Sequence, residues 1–74
     1  MEAVDLHYEI VIYWSGEDGA FLAEVPDLPG CMSDGASYAE AAANAEDAAR
    51  AWIETARDMG RDVPVPSARQ TMLR

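Results

Sequence analysis

Lysine is absent from this chain, and cysteine and histidine occur once each, as Cys31 and His7. A lone cysteine excludes an internal disulfide, and one thiol with one imidazole cannot supply the ligand set of a structural zinc site. That usage fits a reducing cytoplasm. Long apolar runs are missing too, with none approaching the roughly 20 residues that span a bilayer. The first six residues carry two acids and no basic side chain, so neither secretion nor membrane insertion is expected. Five arginines stand against 14 acids, giving a net charge of −9. Such a body repels a phosphate backbone, so direct nucleic-acid binding is not expected. All 14 acids and three of the arginines lie in residues 1–62, whereas Arg69 and Arg74 leave the tail basic. A basic protein surface would complement that body; the plainer alternative is that acidity keeps a small protein soluble.

What is present is β-branched and aromatic residues in strict alternation. Over 8–15, Tyr8, Ile10, Ile12 and Trp14 share one face, while Glu9, Val11 and Tyr13 share the other, the pattern of a strand. Gly16-Glu17-Asp18-Gly19 reads as a polar turn, and over 20–25 the residues Phe21, Ala23 and Val25 oppose Leu22 and Glu24. The pair predicts a hairpin. Next comes Val25-Pro26-Asp27-Leu28-Pro29-Gly30-Cys31, in which the prolines lock φ and push Val25 and Leu28 toward extended conformations, and Gly30 permits positive φ. This is a built corner leading into a short third strand over 31–34, closed by Gly35.

Ser37-Tyr38-Ala39-Glu40 has capping-box spacing, with Ser37 accepting from the Glu40 amide and Glu40 reaching back to the Ser37 amide. The helix then runs from Tyr38 to Gly60, about 22 residues or roughly 33 Å. Tyr38, Ala41, Ala42, Ala45, Ala49, Trp52, Ile53, Ala56 and Met59 form its apolar stripe. Glu46 and Arg50 stand four apart on the outer face, in the favourable order for a pair. Pro64 and Pro66 exclude further helix and suit an extended edge, so a short fourth edge strand near 61–65 is an optional addition. The expected fold class is α+β: a three-stranded antiparallel sheet with one long helix on one face, in β-β-β-α order. Residues 1–66 are expected to form the domain and 67–74 a frayed tail, disordered or ordered by a partner.

One sheet face is then left uncovered. It carries Val11, Tyr13 and Leu22 beside Glu9 and Glu24, too apolar for bulk solvent and too acidic for a sealed core. Val11, Tyr13 and Leu22 are the candidate oligomer interface. A chain of 74 residues buries only about 60% of its unfolded surface, so a homo-oligomer, a dimer or tetramer, is expected.

These pieces, taken in order, resemble the HicB family of antitoxins. The likeness covers 8–66 through the first strand, Glu17-Asp18-Gly19-Ala20-Phe21, Ala23 to Cys31, Asp34-Gly35, Ser37-Tyr38-Ala39-Glu40-Ala41, and Gly60 followed by Pro64 and Pro66. Val25-Pro26-Asp27-Leu28-Pro29-Gly30-Cys31 carries most of the weight. The resemblance implies a truncated RNase-H-like fold, no enzymatic activity, and a role in occluding HicA toxins, which are small basic ribonucleases using a catalytic histidine. Many members continue into an operator-binding domain; the eight residues after Pro66 are too few for one, as in the short stand-alone members. A structural or regulatory adaptor without a cognate toxin is the alternative. The candidate partner-binding acids are Glu17, Asp18, Glu24, Asp27 and Asp34, with Asp27 the most open residue of the corner.

Catalytic readings fare worse. A two-metal nuclease needs converging carboxylates, yet Glu9 lies away from the helix, Glu40 is used in the cap, and Glu46 and Asp47 face solvent. His7 has no neighbouring nucleophile, and Cys31 no base to lower its pKa. The 16–19 turn is too short for a calcium loop. Tyr13, Trp14 and Phe21 would need a cationic groove to stack nucleic-acid bases. No catalytic group, metal or cofactor is expected.

Overall fold

The computed structural model describes residues 7–66, so residues 1–6 and the tail at 67–74 lie outside the described part. Its elements are β1 (Val11–Ser15), β2 (Ala20–Glu24), β3 (Met32–Gly35) and α1 (Tyr38–Asp58). The sheet order is β1-β2-β3, antiparallel throughout. This is the expected β-β-β-α arrangement, with the helix closest to β3, next to β2, and barely reaching β1.

β1 is shorter than its alternation. Val11 pairs with Glu24, the last residue of β2, and beyond it the chain turns into the corner, so residues 8–10 have no β2 partner. No strand forms over 61–66. The fourth edge strand expected near 61–65 is therefore absent; Pro64 and Pro66 have no N–H to offer a ladder. The segment is held instead by side chains: Val63 packs on the core, and the Tyr8 hydroxyl donates to the Pro64 carbonyl.

The corner consists of two consecutive turns. Leu28 N–H donates to Val25 C=O at 3.0 Å, and Cys31 N–H to Leu28 C=O at 2.9 Å. Each turn has proline at its second position, where the fixed φ is pre-organised. Gly30 takes the third position of the second turn with φ +79°, as a type II turn requires. Val25 N–H donates to Cys31 C=O at 3.0 Å, closing the loop on itself. Its apolar residues turn inward: Val25, Leu28 and Cys31 are buried.

They meet Ala23 and the helix residues Ala41, Ala45, Ala49 and Ile53. Alanine at three of these helix positions lets the backbone lie close to the sheet. Closest of all is the start of α1, where a Cβ on Gly35 would stand 2.5 Å from the Ala41 backbone nitrogen. Only glycine fits there. The expected stripe is corrected at its ends, where Tyr38 is 61% exposed and Met59 62%.

Ser37 Oγ accepts from Glu40 N–H at 3.1 Å, but the Glu40 carboxylate accepts from Ala36 N–H at 2.8 Å rather than from Ser37. The box closes one residue further out. At the other end Gly60 N–H donates to Arg57 C=O and Arg61 N–H to Ala56 C=O, the paired bonds of a Schellman motif. On the outer face Arg50 bonds Asp47 at 3.1 Å instead of the expected Glu46. Both side chains are well exposed, so the pair contributes only about 0.3–0.5 kcal/mol.

Candidate protein-binding surface

Period-two alternation and the hairpin register together assemble the uncovered face. Across the three strands run two rows, Val11–Glu24–Met32 and Tyr13–Leu22–Asp34. Val11 and Tyr13 are each 40% exposed and Met32 52%. Val11, Tyr13 and Leu22 thus sit together as expected, and Met32 joins them. Met32 was missed because four residues of third strand show no face by themselves. The signal lay in the corner, whose closure sets Met32 opposite Glu24.

The two rows are tied diagonally: Tyr13 hydroxyl donates to Glu24 Oε2 at 2.8 Å. That bond, first, together with loss of solvent and the negative charges of Glu24 and Asp18, raises the Tyr13 pKa above its ordinary value of 10.0. The phenol is kept as a donor among acids. Asp18 is held by the hairpin turn, where Ser15 Oγ donates to its carboxylate at 3.0 Å and receives its N–H at 3.3 Å.

The five candidate acids therefore divide. Glu24 and Asp34 lie on the face, Asp18 stands at its hairpin end near Tyr13, and Glu17 is exposed on the same turn. Asp27 is elsewhere: its charge acts on Tyr8, which packs on the core, and Arg57 of the helix acts on the same hydroxyl. Burial comes first among the causes that raise the Tyr8 pKa, followed by Asp27, with Arg57 opposing. Asp27 is also only half-exposed, whereas Pro26, Pro29 and Gly30 are exposed. The expectation that Asp27 is the corner's most open residue is thus corrected; the first turn folds it back toward the body.

The opposite side of the hairpin carries an aromatic row. Trp14 meets Phe21 edge-on at 5.1 Å, and Phe21 meets Tyr38 at 4.3 Å. Trp14 lies on the helix side yet remains 55% exposed, because α1 covers β3 and β2 rather than β1. Cys31 is buried, and burial pushes its thiol pKa up, which disfavours the reactive thiolate. A cleft of about 290 Å³ between the corner and α1 is lined by Met32, Ala48, Trp52 and Arg61 among others. Among the described residues no three His, Cys, Asp or Glu side chains cluster as metal ligands, and no helix is long and apolar enough to cross a membrane. The arrangement offers an acidic, aromatic-aliphatic contact surface.

Comparison with known proteins gives a match over residues 8–74 to the family described as HicB-like antitoxins of bacterial toxin–antitoxin systems. A UPF0150 protein of Thermoplasma acidophilum is 37% identical over 60 residues, which cover 81% of this chain and 87% of the relative. A UPF0150 protein of Synechocystis is 36% identical over 59 residues, covering 80% of each chain.

Proposed function

The chain belongs to the HicB-like antitoxin family, and on that premise we propose that it acts by binding protein, occluding a small basic ribonuclease of the HicA type. The uncovered sheet face carries this reading. Its apolar centre of Val11, Tyr13, Leu22 and Met32 is the kind of surface that buries well. Glu24, Asp34 and the nearby Asp18 would steer a cationic partner and set its orientation. The chain self-associates, as a dimer or tetramer, and has no active site of its own. The net charge of −9 speeds encounter with a basic protein and makes it salt-dependent.

The test is to look for a small basic protein encoded beside this chain and to reconstitute the pair. A stable complex with lost ribonuclease activity is expected, and Glu24→Lys with Asp34→Lys should weaken it at least tenfold, about 1.4 kcal/mol or more. Full inhibition by the doubly substituted chain would move the site off this face. Absence of any complex would leave the adaptor reading standing in its place.

A further inference from the structure

We infer that the cleft between the corner and α1 seats an aromatic side chain of a protein partner, beside the acidic sheet face that takes the partner's cationic groups. The inference rests on the protein-binding reading above and adds a second, uncharged contact to it. The cleft measures about 290 Å³ and is lined wholly by residues within 30–61. Sites for cofactors and drug-sized ligands hold about 300–1,000 Å³. An open cleft at that lower limit suits one large side chain, the kind of anchor that protein interfaces place in a pocket.

The walls choose the occupant. Trp52 supplies an indole, Met32 a thioether and Arg61 a guanidinium, while the small Ala48, Ala51 and Thr55 leave the space between them. Each of the three larger groups favours an aromatic ring over an alkyl chain. An indole pairs with a ring offset or edge-on, a thioether sulfur packs against a ring edge, and a guanidinium stacks over a ring face. Arg61 also repels lysine and arginine, so the cleft excludes the side chains that Glu24 and Asp34 attract. Whereas Arg50 is bonded to Asp47, Arg61 forms no ion pair among the described residues, which leaves its guanidinium available to a ring.

The cleft is built before a partner arrives. Trp52 is fixed by a hydrogen bond from its indole to the corner, and the Arg61 backbone by its N–H bond to the Ala56 carbonyl at 2.8 Å. Little ordering cost is then left to association. Met32 makes the cleft continuous with the proposed contact face, since it lines the cleft, stands opposite Glu24 in the sheet and is 52% exposed. Two other occupants fit less well. Residues 67–74 contain no aromatic side chain, and the two arginines among them would be repelled by Arg61. A second copy would set a net charge of −9 against −9.

The full chain, isotopically labelled, is titrated with N-acetyl-tyrosinamide and separately with N-acetyl-leucinamide. The tyrosine amide should shift the Trp52 indole N–H and the Ala48 and Ala51 resonances several times further than the leucine amide does, with the Trp14 indole unmoved. In the reconstituted complex Ala51→Glu should weaken binding by about tenfold or more. Ala51 is exposed on the helix, so the fold survives, and the added negative charge would otherwise favour a basic partner. Ala43→Glu, also exposed but away from the cleft, should not weaken it. A Trp52 indole unmoved by the tyrosine amide, or a complex indifferent to Ala51→Glu, would overturn this inference and leave the protein-binding reading in place. Failure to form any complex would sink that reading, and with it the partner as occupant. A dimer of the free chain that Ala51→Glu dissociates, or contacts from Met72 or Leu73 to Trp52 in the free chain, would assign the cleft to a second copy or to the tail and overturn the inference as well.

Discussion

The indole Nε1 of Trp52 donates to the carbonyl of Pro29 across 2.9 Å, so the C-terminal half of α1 is bonded to the second turn of the corner, 23 residues earlier. Pro29 is exposed and Trp52 half-buried, so the bond works at the rim of the core. Trp52→Phe keeps an aromatic body but removes the donor. It should lower unfolding stability by about 1 kcal/mol, measured by urea denaturation, with the slope of the transition unchanged. Wild-type stability in this variant would mean that the bond contributes nothing beyond shape.

Leu28 is fully buried and, with Val25, among the largest side chains so placed. It sits on a loop, yet it packs as core, sharing the cluster with Ala45, Ala49 and Ile53. Leu28→Ala should cost about 2–5 kcal/mol, enough to unfold a marginal domain of this size. Calorimetry should show a large drop in melting temperature, whereas Pro26→Ala, on the exposed side of the same turn, should shift it far less.

Gly35 joins β3 to the helix start at a point where any Cβ meets the backbone of Glu40 and Ala41. Those atoms belong to a capped first turn and cannot swing aside as a side-chain tip could. Gly35→Ala should therefore destabilise by about 1–3 kcal/mol, read by thermal denaturation. Ser33, the β3 residue whose side chain shares the helix-facing side with Gly35, is half-buried, and Ser33→Ala should be tolerated. Equal effects of the two would refute the close approach.

The Tyr13 hydroxyl, bonded to Glu24, holds its proton more firmly than a free phenol. The folded-state pKa lies above the unfolded one, so the stability it contributes is present below pH 10 and is lost as pH rises through the folded value. Absorbance titration should resolve two tyrosines, Tyr8 and Tyr13, that ionise late, and Glu24→Gln should bring only one of them back toward its ordinary pH. A titration unchanged by Glu24→Gln would show that the bond does not form in solution.

The strands, the hairpin turn, the corner and the limits of α1 were legible because each is written locally. Ile10 to Trp14 alternates, Pro26, Pro29 and Gly30 state their turn types, and Ser37 and Gly60 mark the helix ends. The sheet face of Val11, Tyr13 and Leu22 followed from the same parity. Met32 did not, since a four-residue strand has too few alternations to show which side is buried. Asp27 was misjudged because nothing in a Pro-Asp-Leu-Pro string says that the turn curls toward Tyr8.

By itself the sequence determined the order β-β-β-α, the helix cap at Ser37, the acidic balance and the family resemblance, all properties of residues near one another or summed over the chain. Tertiary structure alone decided the rest. It laid α1 over β3 and β2, leaving Trp14 exposed. It forbade a Cβ at Gly35, and it sent Asp27 away from Glu24 and Asp34. These depend on where separately written elements come to rest on one another, and that is set by burial of Leu28 and the alanine stripe in a shared core rather than by any local pattern.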